Sequence, residues 1–333
     1  MEKRITGFDV AKCVAMFLVC LVHCYYFSIR NQSTLILGAV NIAIPLFMMI
    51  CGFFAHSALK KPFIQFFKSR LLPLMIPLIS CWCIFALLAV AWGIADVSML
   101  KDEAVSCLWF FKALIIITTV AWLAFRLPLP RWASAAVMLV ALLLIPGGTV
   151  FYVNYFAFFF VAGYFLRNAW QWVERHIEVV TLFCVVAYAV CVAAGYVHGY
   201  RSFSLWFLSH FPWLSVMQVV SGALGALMVI CLCTLVCSRV NAENRVIRSL
   251  ADVGRYTMGI YVMQNITLIY VLHHYIIDYT LRHGSAVSVQ LLDFVVVPAA
   301  AAIVLAVNYL LVRLAVRSEV LSLLLFGKKN YQR

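Results

Sequence analysis

Charge is what this chain has least of. Only 11% of its 333 residues are Asp, Glu, Lys or Arg, and only 12 are acidic, which excludes an ordinary soluble domain with its charged share of about 25%. Glycine and proline are few, and internal repeats, low-complexity segments and flexible linkers are missing, so no separate soluble domain is visible. Also missing are the HExxH, GxSxG, P-loop and Rossmann fingerprints, and with them the plainest signs of zinc, serine, nucleotide-hydrolysing and dinucleotide enzymes. Cysteine is not scarce, but the 12 cysteines lie almost entirely inside apolar runs, and the spacings Cys81 to Cys83 and Cys231 to Cys233 are not paired CxxC sites. They read as small helix-packing residues, with no metal site among them.

What is present is hydrophobicity: 66% of residues are apolar and mean hydropathy is +1.02, which defines a polytopic membrane protein. The start, Met1 to Arg4, is basic like a signal peptide, yet the apolar run to Phe27 is too long for one and no small-residue cleavage site follows; it reads as a retained first helix. Apolar runs bounded by charge, Pro or Gly predict spans near 10-28, 35-58, 71-95, 104-125, 132-145, 149-166, 178-197, 213-237, 256-276 and 290-312. The expected fold class is therefore all-α, a polytopic integral membrane protein of about ten transmembrane helices, with residues 1–333 as one transmembrane domain. The fifth run is short, and Pro146, Gly147 and Gly148 could turn the fifth and sixth into a shallow hairpin.

Of the 25 Lys and Arg residues, 19 fall in segments on one side, four (Arg30, Lys101, Arg201, Arg282) on the other, and Lys12 and Lys112 within spans. This bias predicts both termini in the cytoplasm of a multi-pass protein of the cell (inner) membrane. The formal charge of +13 is spread among loops rather than gathered with stacking aromatics on one face, so no nucleic-acid partner is expected; membrane lipids are. The segments from Arg239 to Arg255 and from Arg313 to Lys329 mix basic and apolar residues and read as surface-lying anchors.

Within the first run, Lys12 and His23 are committed to one membrane-length helix where ionisable groups are costly. Eleven steps at about 100° bring His23 back to within roughly 20° of Lys12, about 16 Å further along the axis. Asp9, three residues before Lys12, shares that face, as do Met16, Val19 and Tyr26. A neutral imidazole in a dry site can take a proton from an attacking hydroxyl; the alternative is a packing histidine bonded to a neighbouring Ser or Tyr.

After the second run, Lys60, Lys61, Lys68 and Arg70 form a basic loop suited to the phosphates of an anionic cosubstrate, with Arg70 nearest the membrane; a positive-inside anchor is the alternative for Lys60 and Lys61. Lys112 either snorkels outward or faces an outer cavity together with Trp109, where a Trp beside a cation suits a sugar ring. Pro45 should kink the second helix and Gly52 should admit a neighbour. In the ninth run Tyr261, Gln264 and Asn265 are polar groups at helical spacing, fit for interhelical hydrogen bonds.

Together these residues resemble the integral-membrane acyltransferase 3 family, whose members O-acylate bacterial surface glycans and related acceptors. The family's basic residue, ten residues and a histidine is Lys12 to His23, preceded by an Asp at Asp9. Its Phe-rich run ending in Ser-Gly-Phe resembles the segment to Cys51, Gly52 and Phe53, and its arginine-rich segment before Leu and Pro resembles Lys68, Arg70 and Pro77. Leu108 to Leu114, Phe158 to Arg167 and Gly254 to Gln264 are similar to three later motifs, in the family's order. The chain departs from the pattern at Cys51, at Pro73 for the second Arg, at Thr257 and Gln264 for the late Ser and His, and at Pro45 for an acidic residue.

The resemblance implies an O-acetyltransferase, with acetyl-CoA or another acyl-CoA as cytoplasmic donor substrate, no permanently bound cofactor, and a hydroxyl of a cell-surface or lipid-linked carbohydrate as acceptor. It implies donor phosphates by Lys12, Lys68 and Arg70, His23 as general base or transient acyl carrier, and Asp9 orienting Lys12. Trp109, Lys112 and Tyr26 are the expected acceptor-side residues. A secondary transporter or flippase of a polar or lipid-linked sugar is the competing class, although two halves with matching broken helices are not seen. A structural subunit without chemistry would leave Lys12 and His23 without a purpose.

Overall fold

The computed structural model describes residues 5–28, 34–145, 151–197, 203, 205–240, 244–272 and 292–329. Among them there is no strand; the ordered chain is helical throughout. Backbone in hydrocarbon must satisfy its own hydrogen bonds, and a helix does so within one segment.

The main helices are α1 (Thr6–Ser28), α2 (Thr34–Phe53), α3 (Leu72–Ala91), α4 (Val97–Ser106), α5 (Trp109–Ala124), α6 (Arg131–Leu143) and α7 (Val153–Arg175). They continue with α8 (Ile177–Ala193), α9 (Pro212–Arg239), α10 (Arg245–Arg255), α11 (Thr257–Gln264), α12 (Val297–Ala315) and α13 (Glu319–Phe326). Wide π-helical turns at Phe67–Leu71 and Leu292–Val296 lead into α3 and α12, and another at Asn265–Leu272 continues α11.

Four helical stretches among the described residues are long and apolar enough to cross a membrane: Thr6–Tyr25, Phe63–Ala91, Pro212–Arg239 and Phe294–Ala315. The number rises to six if α4 with α5, bent by 53°, and α7 with α8, bent by 113°, each count as one span. Of the ten runs expected from the sequence, those represented by Gly38–Phe53 and Arg131–Leu143 form apolar helices too short for that test. The expected turn at Pro146 to Gly148 and residues 273–291, between the ninth and tenth runs, lie outside the described residues.

The breaks have local causes. Between α4 and α5, Cys107 leaves the helical region at ψ 126° and Leu108 takes a left-handed φ of 46°, which costs roughly 1–2 kcal/mol for a residue with a Cβ. At the other end of α4, Asp96 caps the helix by accepting from the Ser98 amide at 3.1 Å. The Ser98 hydroxyl and then its amide hold the Asp96 carboxyl below its ordinary range. Between α7 and α8, His176 at φ −111° ends one helix and opens the next.

The chain divides into two compact units. The first comprises Met1–Val19, Thr34–Pro62 and Ala113–Arg255; the second comprises Cys20–Ser33, Phe63–Lys112 and Tyr256–Arg333. In the first unit α2 and α7 meet backbone to backbone. A Cβ on Gly52 would lie 1.9 Å from the Phe160 carbonyl oxygen, and one on Gly163 would lie 1.9 Å from that of Met49. Close approach through small residues is how helices associate where no hydrophobic force separates them from lipid. On another side of α2, Asn41 donates to the Ser221 hydroxyl of α9 at 3.4 Å.

In the second unit α11 packs on α12, where Gly259 faces the Val312 side chain, and Thr267 donates to Asn308 at 2.8 Å. The tail helix α13 is capped by Ser318 and ends on Gly327 at φ 69°. Pro77 cannot donate to the Pro73 carbonyl one turn back, and Gly327 packs against that same oxygen, where a Cβ would come within 2.1 Å. The tail read as a lipid anchor thus buries Ser322 and Phe326 in protein contacts.

Gly163→Ala forces a Cβ into the α2 backbone with no flexible neighbour to yield. It should destabilise the detergent-solubilised protein by about 1–3 kcal/mol, read as a lower Tm of intrinsic fluorescence. An unchanged Tm would mean that the α2–α7 backbone contact is not that close.

Candidate active site

α1 is one unbroken helix from Thr6 to Ser28, so Lys12 and His23 are separated along it by about 16 Å from helix geometry alone. Its N-terminal part belongs to the first unit and its part from Cys20 onward to the second. The surroundings of the two residues differ accordingly.

In the first unit Asp9 is 4% exposed and accepts from Lys12 Nζ at 2.9 Å, an i,i+3 ion pair on one helix face. Arg255, at the end of α10, reaches the other carboxylate oxygen at 3.8 Å. Gly254 makes this approach possible: a Cβ there would lie 1.7 Å from the Asp9 carbonyl oxygen. A buried carboxylate needs such partners, since its desolvation is costly unless paired. The Lys12 ammonium lies 5.7 Å from the centre of the Phe54 ring. Asp9 therefore fixes the direction of Lys12.

In the second unit His23 and Gln264 are hydrogen-bonded side chain to side chain, Gln264 Nε2 facing Nδ1. The Gln264 oxygen accepts from the Cys20 thiol at 3.4 Å, one turn before His23 on α1. A glutamine amide can offer either end. With nitrogen toward Nδ1, the neutral ring carries its proton on Nε2; with oxygen toward Nδ1–H, the lone pair moves to Nε2, the form a base requires. Gln264 is fully buried and so fixes the direction of the imidazole, while the end of the amide it presents decides the tautomer.

Lys112 donates to the carbonyls of Ala104 and Val105, both at 2.7 Å, and so caps the C-terminal end of α4. Trp109 is on the same turn of α5, its ring 6.4 Å from that of Phe110. Lys68 and Arg70 are exposed on the π-helical turn before α3. Burial and then Arg70 lower the Lys328 ammonium in the tail below the ordinary lysine range, so the tail brings a further cation toward Arg70. The side chain of Tyr26 lies outside the described residues.

The structure thus pairs Asp9 with Lys12 and gives His23 a partner, while Lys68 and Arg70 lie in the second unit and Lys12 in the first. The sequence marked Arg255 only as part of a surface anchor and Gly254 only as the start of a family-like segment, and gave neither a place beside Asp9. A polar group among α4, α5 and the turn after α11 was also not marked: Tyr270 donates to Glu103 at 2.7 Å, and the Cys107 sulfur lies 3.1 Å from the same hydroxyl. The glycine beside an arginine at the end of an amphipathic helix was a usable signal for the first. Nothing in the sequence links Glu103 to Tyr270, 167 residues apart. The 12 cysteines form no disulfide with one another.

A helical membrane protein with a histidine held by a buried amide and a lysine aimed by a buried carboxylate is the class the fold and these contacts define. The family model described as an acyltransferase domain, Acyl_transf_3, matches residues 5–313, and the chain belongs to that family. No curated protein and no solved structure matches it.

Gln264→Met keeps the volume and removes the hydrogen bond to His23. Acyl transfer should fall roughly tenfold in kcat, with KM within about twofold, the size of one hydrogen bond to a group that becomes charged. Full activity in this variant would mean that Gln264 only packs.

Proposed function

We propose that this acyltransferase is an O-acyltransferase of the cell membrane that moves an acyl group, most simply acetyl, from a cytoplasmic acyl-CoA to a carbohydrate hydroxyl. The observation that carries the reading is the family match along 5–313; the Asp9, Lys12 and His23, Gln264 contacts support it.

His23 is the general base. With the Gln264 oxygen on Nδ1–H, Nε2 takes the proton of the acceptor hydroxyl as its oxygen attacks the thioester carbonyl carbon. The carbon–sulfur bond breaks, and the imidazolium returns the proton to the departing CoA thiolate. Lys12, Lys68 and Arg70 are the cations assigned to the donor's phosphates, with Asp9 orienting Lys12. The reach of about 16 Å along α1 suits an extended pantetheine arm. Trp109, Lys112 and Tyr26 are assigned to the acceptor side, a cell-surface or lipid-linked glycan; with Lys112 on two backbone carbonyls, its share there is positioning α4 against α5.

The same reading includes about ten spans with both termini in the cytoplasm, which the 19 to 4 division of Lys and Arg supports. A reporter that is active only in the cytoplasm, fused after residue 333, should be active, and one inserted at Lys101 should be silent. The reverse pattern would overturn the orientation.

Purified protein given labelled acetyl-CoA and extracted glycans should label a glycan. His23→Ala should lower the rate at least 100-fold, the usual scale for losing a general base, while folding and still binding the donor. Equal labelling by His23→Ala would remove the base assignment, and absence of CoA binding and hydrolysis in the wild type would turn attention to transport.

A further inference from the structure

A group of cations lies in the first unit, where Arg131, Arg167 and His56 have been given no role above and Lys60 only that of a basic loop residue. Its centre is His56, in the turn after α2. That helix ends at Phe53 instead of at the expected position 58, so His56 lies outside the membrane-spanning helices. Its ring stacks on that of Tyr164 at 3.9 Å and 13°, and its Nε2–H donates to the Tyr164 carbonyl at 2.9 Å. Burial foremost, then the nearby charges of Arg131, Arg167 and Lys60, hold the imidazole below its ordinary range against the opposing Tyr164 hydrogen bond. By position, Lys60 follows His56 by one turn, Arg167 follows Tyr164 by three residues on α7, and α6, which opens with Arg131, packs on α7.

Arg167 is three residues after Tyr164 on the same face of α7, half-buried, its guanidinium 5.1 Å from the centre of the Phe53 ring. Lys60 adjoins a locked piece of backbone, because the Lys61 carbonyl accepts from Trp122 Nε1 at 2.9 Å and from Arg126 at 2.5 Å. Arg131 opens α6 behind Pro130, and no side chain caps that helix. A cation is the wrong sign beside the positive end of a helix unless an anion joins them. One turn beyond Arg167 on the same face, Trp170 is 4% exposed, and its Nε1–H has no acceptor among the described residues. A loop that merely follows the positive-inside rule needs none of this seating.

We propose that Arg131, Arg167, Lys60 and His56 form a binding site for phosphate groups, with the first turn of α6 beside them. The ring pair Phe53 and Phe54, 5.0 Å apart, joins it to Lys12, since Arg167 lies over one ring and Lys12 over the other. As a site for the phosphates of an acyl-CoA it rests on the function proposed above; a phospholipid headgroup offers the same chemistry.

The test uses the full chain in phosphatidylcholine nanodiscs, with calorimetric binding of CoA and of pantetheine, which lacks phosphates. Arg131→Gln, on the surface, and Arg167→Gln should each weaken CoA roughly tenfold, the size of one charge-assisted hydrogen bond, and leave pantetheine unchanged; Arg167→Lys should recover part of the loss. A second set of nanodiscs containing phosphatidylglycerol reads lipid retention by native mass spectrometry. Weakened CoA binding assigns the site to the donor. Loss of phosphatidylglycerol alone assigns it to lipid, and if wild type binds no CoA, that arm still tests the site while the donor reading falls. Folded Arg131→Gln and Arg167→Gln proteins that bind both CoA and phosphatidylglycerol like wild type would overturn the proposal.

Discussion

An ionised group in an apolar phase must be neutralised, hydrogen-bonded or brought to water, and the arrangement of this chain follows from that constraint. The backbone meets it by being helical among all described residues. Side chains meet it one by one. Asp9 is buried and takes Lys12 and Arg255; Gln264 is buried and takes His23 and Cys20; Lys112 takes two carbonyls at a helix end. Each partner has a position fixed by packing, so solving the solvation problem also aims the group.

Packing in turn depends on where the backbone can be approached. Gly254 admits the Asp9 carbonyl, Gly52 and Gly163 let α2 and α7 cross, and Gly327 reaches the Pro73 oxygen left by Pro77. At the first of these the link to chemistry is direct. A side chain at 254 would push α10 from α1 and move Arg255 from the carboxylate that directs Lys12.

Much of this was legible in the sequence. Lys12 and His23 stood out because an uninterrupted apolar run made their cost visible, and α1 covers that run in one helix. Gly52 was marked as a contact for a neighbouring helix and is one. Gln264 was read as a hydrogen-bonding group, but its partner was not named, since 241 residues separate it from His23 and nothing local records the pairing. The end of α2 at Phe53 was missed because Phe54, Ala55, Ala58 and Leu59 continue the apolar count, whereas the chain turns at Ala55. The left-handed Leu108 was equally hidden: leucine has no preference for that conformation, and tertiary contacts around Cys107 hold the break.

The excess of cations over anions has its own physical consequence. With 25 basic side chains against 12 acidic ones, carboxylates can neutralise at most about half. Several cations rest on aromatic faces: Arg167 over Phe53, Arg126 over Trp122 at 4.7 Å, and Arg313 over Tyr256 and Tyr309, both at 5.8 Å. A ring face stabilises a cation without cancelling its charge, whereas a carboxylate does both. Seating a guanidinium on a phenylalanine therefore lets it be ordered while partly buried. An anion that arrives meets cations already oriented, and little further ordering of side chains is needed to bind it. The same basic composition thus puts ordered cations on the helix ends and turns of this chain.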